Sequence, residues 1–166
     1  MNKKTLFLML AIIILMIIPA DTAKPIFVID FRADYIPQNV DVTIQSGWDT
    51  GEYLVLYSPR SALVLYFDLP QGTTNILGLK LTIVDRATYN DMPDTISQAN
   101  GGVYSPIRII ANGKVVVDNV DLRWVRDHTF SYPVGQYLKT GRNRISIEVL
   151  DSARTQYEIR RISLNY

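Results

Sequence analysis

The chain has 166 residues, no cysteine and a formal net charge of +1. With no cysteine there is no disulfide framework, no thiolate metal site and no lipid attachment through an N-terminal cysteine, so the apolar core must hold the fold alone. With no basic excess, nucleic acid is set aside as a partner.

Lys3 and Lys4 precede the apolar run "TLFLMLAIIILMIIPA" over residues 5–20. A charged start followed by such a run reads as a secretory signal. It falls short of the about 20 apolar residues that a spanning helix needs. Cleavage after Ala20 sets Ile18 three residues before the cut, and cleavage after Ala23 sets Asp21 there. Neither is small, so an uncleaved N-terminal membrane anchor is the alternative reading. The expected division is a signal segment over 1–23 and one domain over 24–166, secreted or on the cell surface. Taking Lys3 and Lys4 from the 17 basic residues leaves 15 against 16 acidic ones, or 15 against 15 once Asp21 goes as well, a nearly neutral remainder. Its length suits one domain with a substantial core.

Strand signals then recur along the chain, and no segment keeps a 3.6-residue period. Residues 26–31 are almost continuously apolar. Val40, Val42 and Ile44 alternate, and "YLVLY" spans residues 53–57. Leu63, Leu65, Phe67 and Leu69 alternate, as do Leu77, Leu79, Leu81 and Ile83. The polar stretch 85–105, with Pro93, Gly101 and Gly102, is the one long connection, a length often tied to function. Ile107 and Ile109 lead through "ANG" to residues 115–117, and Asn112-Gly113 is a strong hairpin signal. Val120, Leu122 and Trp124 alternate, then Phe130, Tyr132 and Val134. The turn with Gly141 and Asn143 feeds Ile145, Ile147 and Val149.

In the final segment Tyr157 and Ile159 share one parity, Ile162 and Leu164 the other. A β-bulge at Arg160-Arg161 would return all four to one face. The alternative is a strand covered on both faces. The whole predicts an all-β antiparallel sandwich of nine or ten short strands. Leu65, Phe67, Leu79, Leu81, Ile109, Ile145, Ile147 and Ile162 are its expected core.

The order "PIRIIANGKVVVDN", "LRWVRDHTFSYPVGQYLKTGRNRISIEV" and "YEIRRISL" resembles the galactose-binding-like jelly-roll family, found as carbohydrate-binding modules and as accessory domains of glycoside hydrolases and polysaccharide lyases. The likeness spans residues 63–164. Its marks are the Leu138, Lys139, Gly141, Asn143 turn, the Ile-x-Ile-x-Val strand, and Ile159, Ile162 and Leu164 at the end. All are framework positions. No loop motif matches residue by residue, so no binding residue is carried over. The resemblance implies a jelly roll, a polysaccharide or glycan as partner, and the option of a structural calcium.

Catalysis has little to stand on. His128 is the only histidine, and no Gly-x-Ser-x-Gly turn exists. Carboxylates recur at Asp91 and Asp94 and at Asp118, Asp121 and Asp127, but sequence proximity does not make a catalytic pair. Asn90, Asp91 and Asp94 in "YNDMPD" are the oxygen donors that calcium would use. For glycan stacking the first candidate is Trp48, read in the polar turn "QSGWDTGEY". Tyr89 and Tyr104 flank the long loop and would frame a rim. Arg126 and Asp127 would bond hydroxyls or pair with each other. Trp124 is assigned to the core. The site is expected where 46–53, 85–105 and 123–128 meet. The reading is a non-catalytic carbohydrate-binding sandwich. Its alternatives are a structural or adhesive surface protein and a small secreted hydrolase.

Overall fold

In the computed structural model the described residues are 25–57, 60–88, 105–120, 126–153 and 155–166. They form eleven strands: β1 Phe27–Asp30, β2 Val40–Gln45, β3 Gly47–Asp49, β4 Leu54–Leu56, β5 Ala62–Leu69, β6 Lys80–Thr88, β7 Ile107–Ala111, β8 Lys114–Val120, β9 His128–Pro133, β10 Gly141–Val149 and β11 Gln156–Asn165. Three single turns of 3-10 helix, at Phe31–Ala33, Ile76–Gly78 and Gly135–Tyr137, are the only helical elements among the described residues.

All strand pairing is antiparallel, in two sheets. The first has the order β3-β4-β11-β6-β9, with β1 also paired to β11; the second is β2-β5-β10-β7-β8. The chain changes sheet at most of its connections, as a jelly roll does. Alternation explains the packing: inward positions are apolar and interleave between the sheets. Phe27 of the first sheet meets Phe67 of the second edge to face, ring centres 5.1 Å apart. All eight expected core residues have no exposed surface.

Two local devices set the register. Asn112 and Gly113 both have positive φ, and Ala111 faces Lys114 across them, so the expected tight β7–β8 hairpin is present. On β11 the pairing with β6 shifts between Ile159 and Arg161, which is the expected bulge. Tyr157, Ile159, Ile162 and Leu164 are all buried as a result. The other face of β11 is partly covered as well, since Glu158 and Ser163 are buried. The bulge also divides the strand's other edge: β4 pairs with Tyr157 to Ile159, and β1 with Arg161 to Leu164.

Eleven strands among the described residues exceed the nine or ten expected, and one expected alternation fails. Leu77 does not continue the β6 alternation; it sits in the 3-10 turn and is exposed. Asn75, with positive φ, begins that turn, and the turn's backbone lies so close to Gly135 that a Cβ on that glycine would come 2.1 Å from the Ile76 carbonyl oxygen. Leu122 and Trp124 lie outside the described residues.

Candidate functional site

The outward face of the first sheet carries an aromatic pair and a network of charged side chains around a third aromatic ring. The group begins in "QSGWDTGEY", where Trp48 stands on strand β3 and not in the turn expected; the turn follows it over residues 50–53. Gly47 to Asp49 pair with Leu54 to Leu56, so Trp48 stands opposite Val55. Gly47 is required there: a Cβ would lie 2.6 Å from the Val55 carbonyl oxygen. The short turn is held by its own side chains. Asp49 accepts from the Gly51 N–H at 2.8 Å, and the Thr50 hydroxyl accepts from the Tyr53 N–H at 3.0 Å.

Leu54 and Leu56 point into the core, so Tyr53 and Tyr57 share the outward parity with Val55. Tyr57 meets Trp48 with ring centres 4.8 Å apart at 43°. Both rings are about half exposed, Trp48 at 45% and Tyr57 at 48%. A fully packed ring would not show this, and it makes the pair available for stacking.

Beside them Tyr53 is the hub of a polar network. Its hydroxyl donates to Asp127 Oδ1 at 2.7 Å. The Arg86 guanidinium lies 4.0 Å above its ring centre. Arg86 Nε in turn donates to Glu158 Oε2 at 2.6 Å, and Arg160 donates to Asp127 Oδ2. Burial, and then the hydrogen bond to Asp127, raise the Tyr53 hydroxyl above the ordinary tyrosine value. It therefore stays protonated and keeps donating. The bulge has a second consequence here: it gives Arg160 no partner position on β6, and its side chain reaches Asp127.

The structure thus joins three of the expected segments. Tyr53 ties 46–53 to Asp127, and Arg86 brings in the start of 85–105. Trp48 and Asp127 belong to one face, and Arg126 is exposed beside Asp127. Tyr89, Asn90, Asp91 and Tyr104 lie outside the described residues, as does Asp94. Sequence reasoning missed Tyr57, Tyr53, Arg86, Glu158 and Arg160. The two tyrosines were legible by parity, because inward Leu54 and Leu56 force their neighbours outward. The charged members were not, because their pairing crosses 33 to 74 residues of sequence.

Other carboxylates go elsewhere. Asp118 is held by Arg108 at 2.8 Å, and that hydrogen bond keeps it below the usual carboxylate range. It sits on β8 of the second sheet, whereas Asp127 joins the first-sheet network. Among the described residues no three His, Asp or Glu side chains gather to hold a metal ion.

No protein-family model and no curated protein matches this sequence. Solved structures do match in shape. The carbohydrate-binding module CBM36 in complex with calcium and xylotriose has a TM-score of 0.52 at 10% identity, covering 84% of this chain and 100% of that one. A family 35 carbohydrate binding module from Clostridium thermocellum has a TM-score of 0.47 at 15% identity, covering 86% and 98%. The first likeness is one of fold, and the chain is an antiparallel jelly-roll β-sandwich.

Proposed function

We propose that this protein is an extracytoplasmic, non-catalytic carbohydrate-binding sandwich, and that the Trp48–Tyr57 pair is its stacking platform. The observation that carries the reading is two half-exposed rings beside a fixed set of donors and acceptors on one face. Sugar rings present apolar faces to aromatic side chains and hydroxyls to polar ones, so this combination suits a glycan. The network is already satisfied internally, which keeps Tyr53, Arg86 and Asp127 in place before a ligand arrives. The xylotriose bound by the CBM36 module supports the same class of partner. Trp48, Arg126 and Asp127 are the described members of the proposed binding set; Tyr89, Asn90, Asp91 and Tyr104 complete it from the long loop. Its location outside the cytoplasm rests on the charged and apolar start of the sequence.

The test is retardation of the purified protein in gels cast with a panel of plant and microbial polysaccharides, repeated with Trp48→Ala and Tyr57→Ala. The reading expects retardation by at least one polysaccharide and its loss in both variants. Retardation by none, with the fold intact, leaves the adhesive-protein reading in its place.

A structural calcium belongs to the same proposal, with Asn90, Asp91 and Asp94 as its donors. A melt with and without chelator tests it, since an ion that binds only the folded state raises the midpoint.

A further inference from the structure

The one buried carboxyl on an inward position among the described residues lies toward one end of the first sheet. There Asp85 stands on the inward face of β6, in step with Leu81 and Ile83, and has no exposed surface. Its Oδ2 accepts from the Tyr157 hydroxyl at 2.6 Å. Its Oδ1 has no hydrogen-bond partner, and neither has the buried hydroxyl of Tyr132. Two polar atoms without partners are an uncommon expense in a core packed this well.

The groups around Asp85 come from every neighbouring element. Tyr157 is on β11, and Tyr132 and His128 are on β9, with His128 in register opposite Asp85. Asp127, just before β9, adds a like charge. Arg86 follows on β6, and its guanidinium is held on the opposite face by Glu158. The core positions of β2, β5, β7 and β10 carry no titratable side chain. No arginine or lysine among the described residues bonds the carboxyl. An ionised carboxylate with one hydrogen bond and no counter-charge is strongly disfavoured in such a place. The neutral acid costs far less there, because it carries no charge to strip of water. Burial, opposed by the Tyr157 hydrogen bond and aided by Asp127, lifts Asp85 to about 7. Burial and then the Asp85 charge likewise raise the Tyr132 hydroxyl well above the ordinary tyrosine value.

We propose that Asp85 is an internal proton switch: its neutral form keeps the β6–β9–β11 end of the sandwich closed, and its ionisation opens that end to water. The arrangement links this interior group to the outer face. Asp85 and Arg86 are neighbours on β6, and Asp127 and His128 are neighbours at the start of β9. Arg86 and Asp127 are the two groups that hold Tyr53. Loosening the inner pair therefore disturbs the outer network, whatever ligand that face takes.

The sign follows from the proton count. Asp85 keeps its proton in the folded state up to about pH 7. In the unfolded chain an aspartate loses it near pH 3.9. Its contribution to stability is thus complete below about pH 4 and is lost as the pH rises through about 7. Asp118 and Asp151, held low by Arg108 and Arg60, shift stability in the opposite sense. They are unchanged in an Asp85 variant, so a difference curve removes them.

The experiment compares thermal midpoints of the wild-type chain and Asp85→Asn from pH 4.5 to 8.5, with amide hydrogen exchange of β9 at both ends of the range. Asparagine keeps the shape and cannot ionise. The wild-type midpoint should fall relative to the variant by roughly 5 °C or more as the pH rises to neutrality. Protection of the β9 amides should fall with it while that of β5 and β10 holds. Parallel midpoint curves would overturn the proposal. Should Asp85→Asn fail to fold, carbon-13 titration of the wild-type aspartate carboxyls decides the matter. One aspartate titrating above about pH 6 supports the switch, and every aspartate titrating below about pH 5 refutes it.

Discussion

Asn143 is a polar residue in an apolar place, with 1% of its surface exposed. Its side-chain amide donates to the carbonyls of Lys139 and Gly141, both at 2.7 Å. Its oxygen accepts from the Lys139 N–H and from Asn112 at 2.9 and 2.8 Å. The "LKTGRN" turn and the β7–β8 hairpin are thereby tied through one residue, so this stretch is framework and not a binding motif. Asn143→Ala leaves buried backbone groups without partners and should cost about 1–3 kcal/mol in a urea melt. Ile147, fully buried on β10, should cost roughly 2–5 kcal/mol on truncation to alanine. A loss of less than about 1 kcal/mol there would mean that the inward face is wrongly assigned. Trp48 makes the opposite case. Its ring is 45% exposed, so Trp48→Ala should leave the thermal midpoint nearly unchanged. On the proposed function it should weaken glycan binding about tenfold or more, equivalent to about 1.4 kcal/mol. Unfolding of that variant would show that Trp48 is structural and sink the platform.

At the scale of elements, β11 decides most. It is the central strand of the first sheet and pairs on one edge with β6 and on the other with β4 and then β1. The extra residue at Arg160 turns one strand into two inward-facing halves. Deleting Arg160 should throw Ile162 and Leu164 to the opposite face, because side chains alternate with a period of two. Such a deletion should yield little soluble protein. Arg160→Ala, which keeps the residue count and removes the ion pair with Asp127, should stay soluble and folded. Equal yields of the two would show that the bulge is not what places the C-terminal half of β11. The bulge was legible because two apolar pairs of opposite parity flank a pair of arginines. The 3-10 turn at Leu77 was not, since its alternation with Leu79 looks like a strand until Gly135 packs against it.

For the whole molecule, the absence of any helix longer than one turn among the described residues has a direct readout. Far-UV circular dichroism of the purified protein should show β-sheet, with helix well under the about one third found in ordinary domains. A helical fraction near that average would contradict the architecture.

What the sequence determined by itself was most of the strands, though not β3, with their inward faces, the Asn112-Gly113 hairpin and the bulge. All of these are written in residues close together, through parity and turn chemistry. Only the tertiary structure decided which strands are neighbours, and therefore which polar groups meet. Tyr53 and Asp127 lie 74 residues apart, and Asp85 and Tyr157 lie 72 apart. Neither pair leaves a local pattern, because a hydrogen bond across a sheet constrains position in space and not spacing in sequence. The same holds for burial: Asp85 reads as the first residue of the long polar connection, but β6 runs on to Thr88 and the second sheet closes over it. Its ordinary chemistry in the sequence becomes unusual only when packing removes the water.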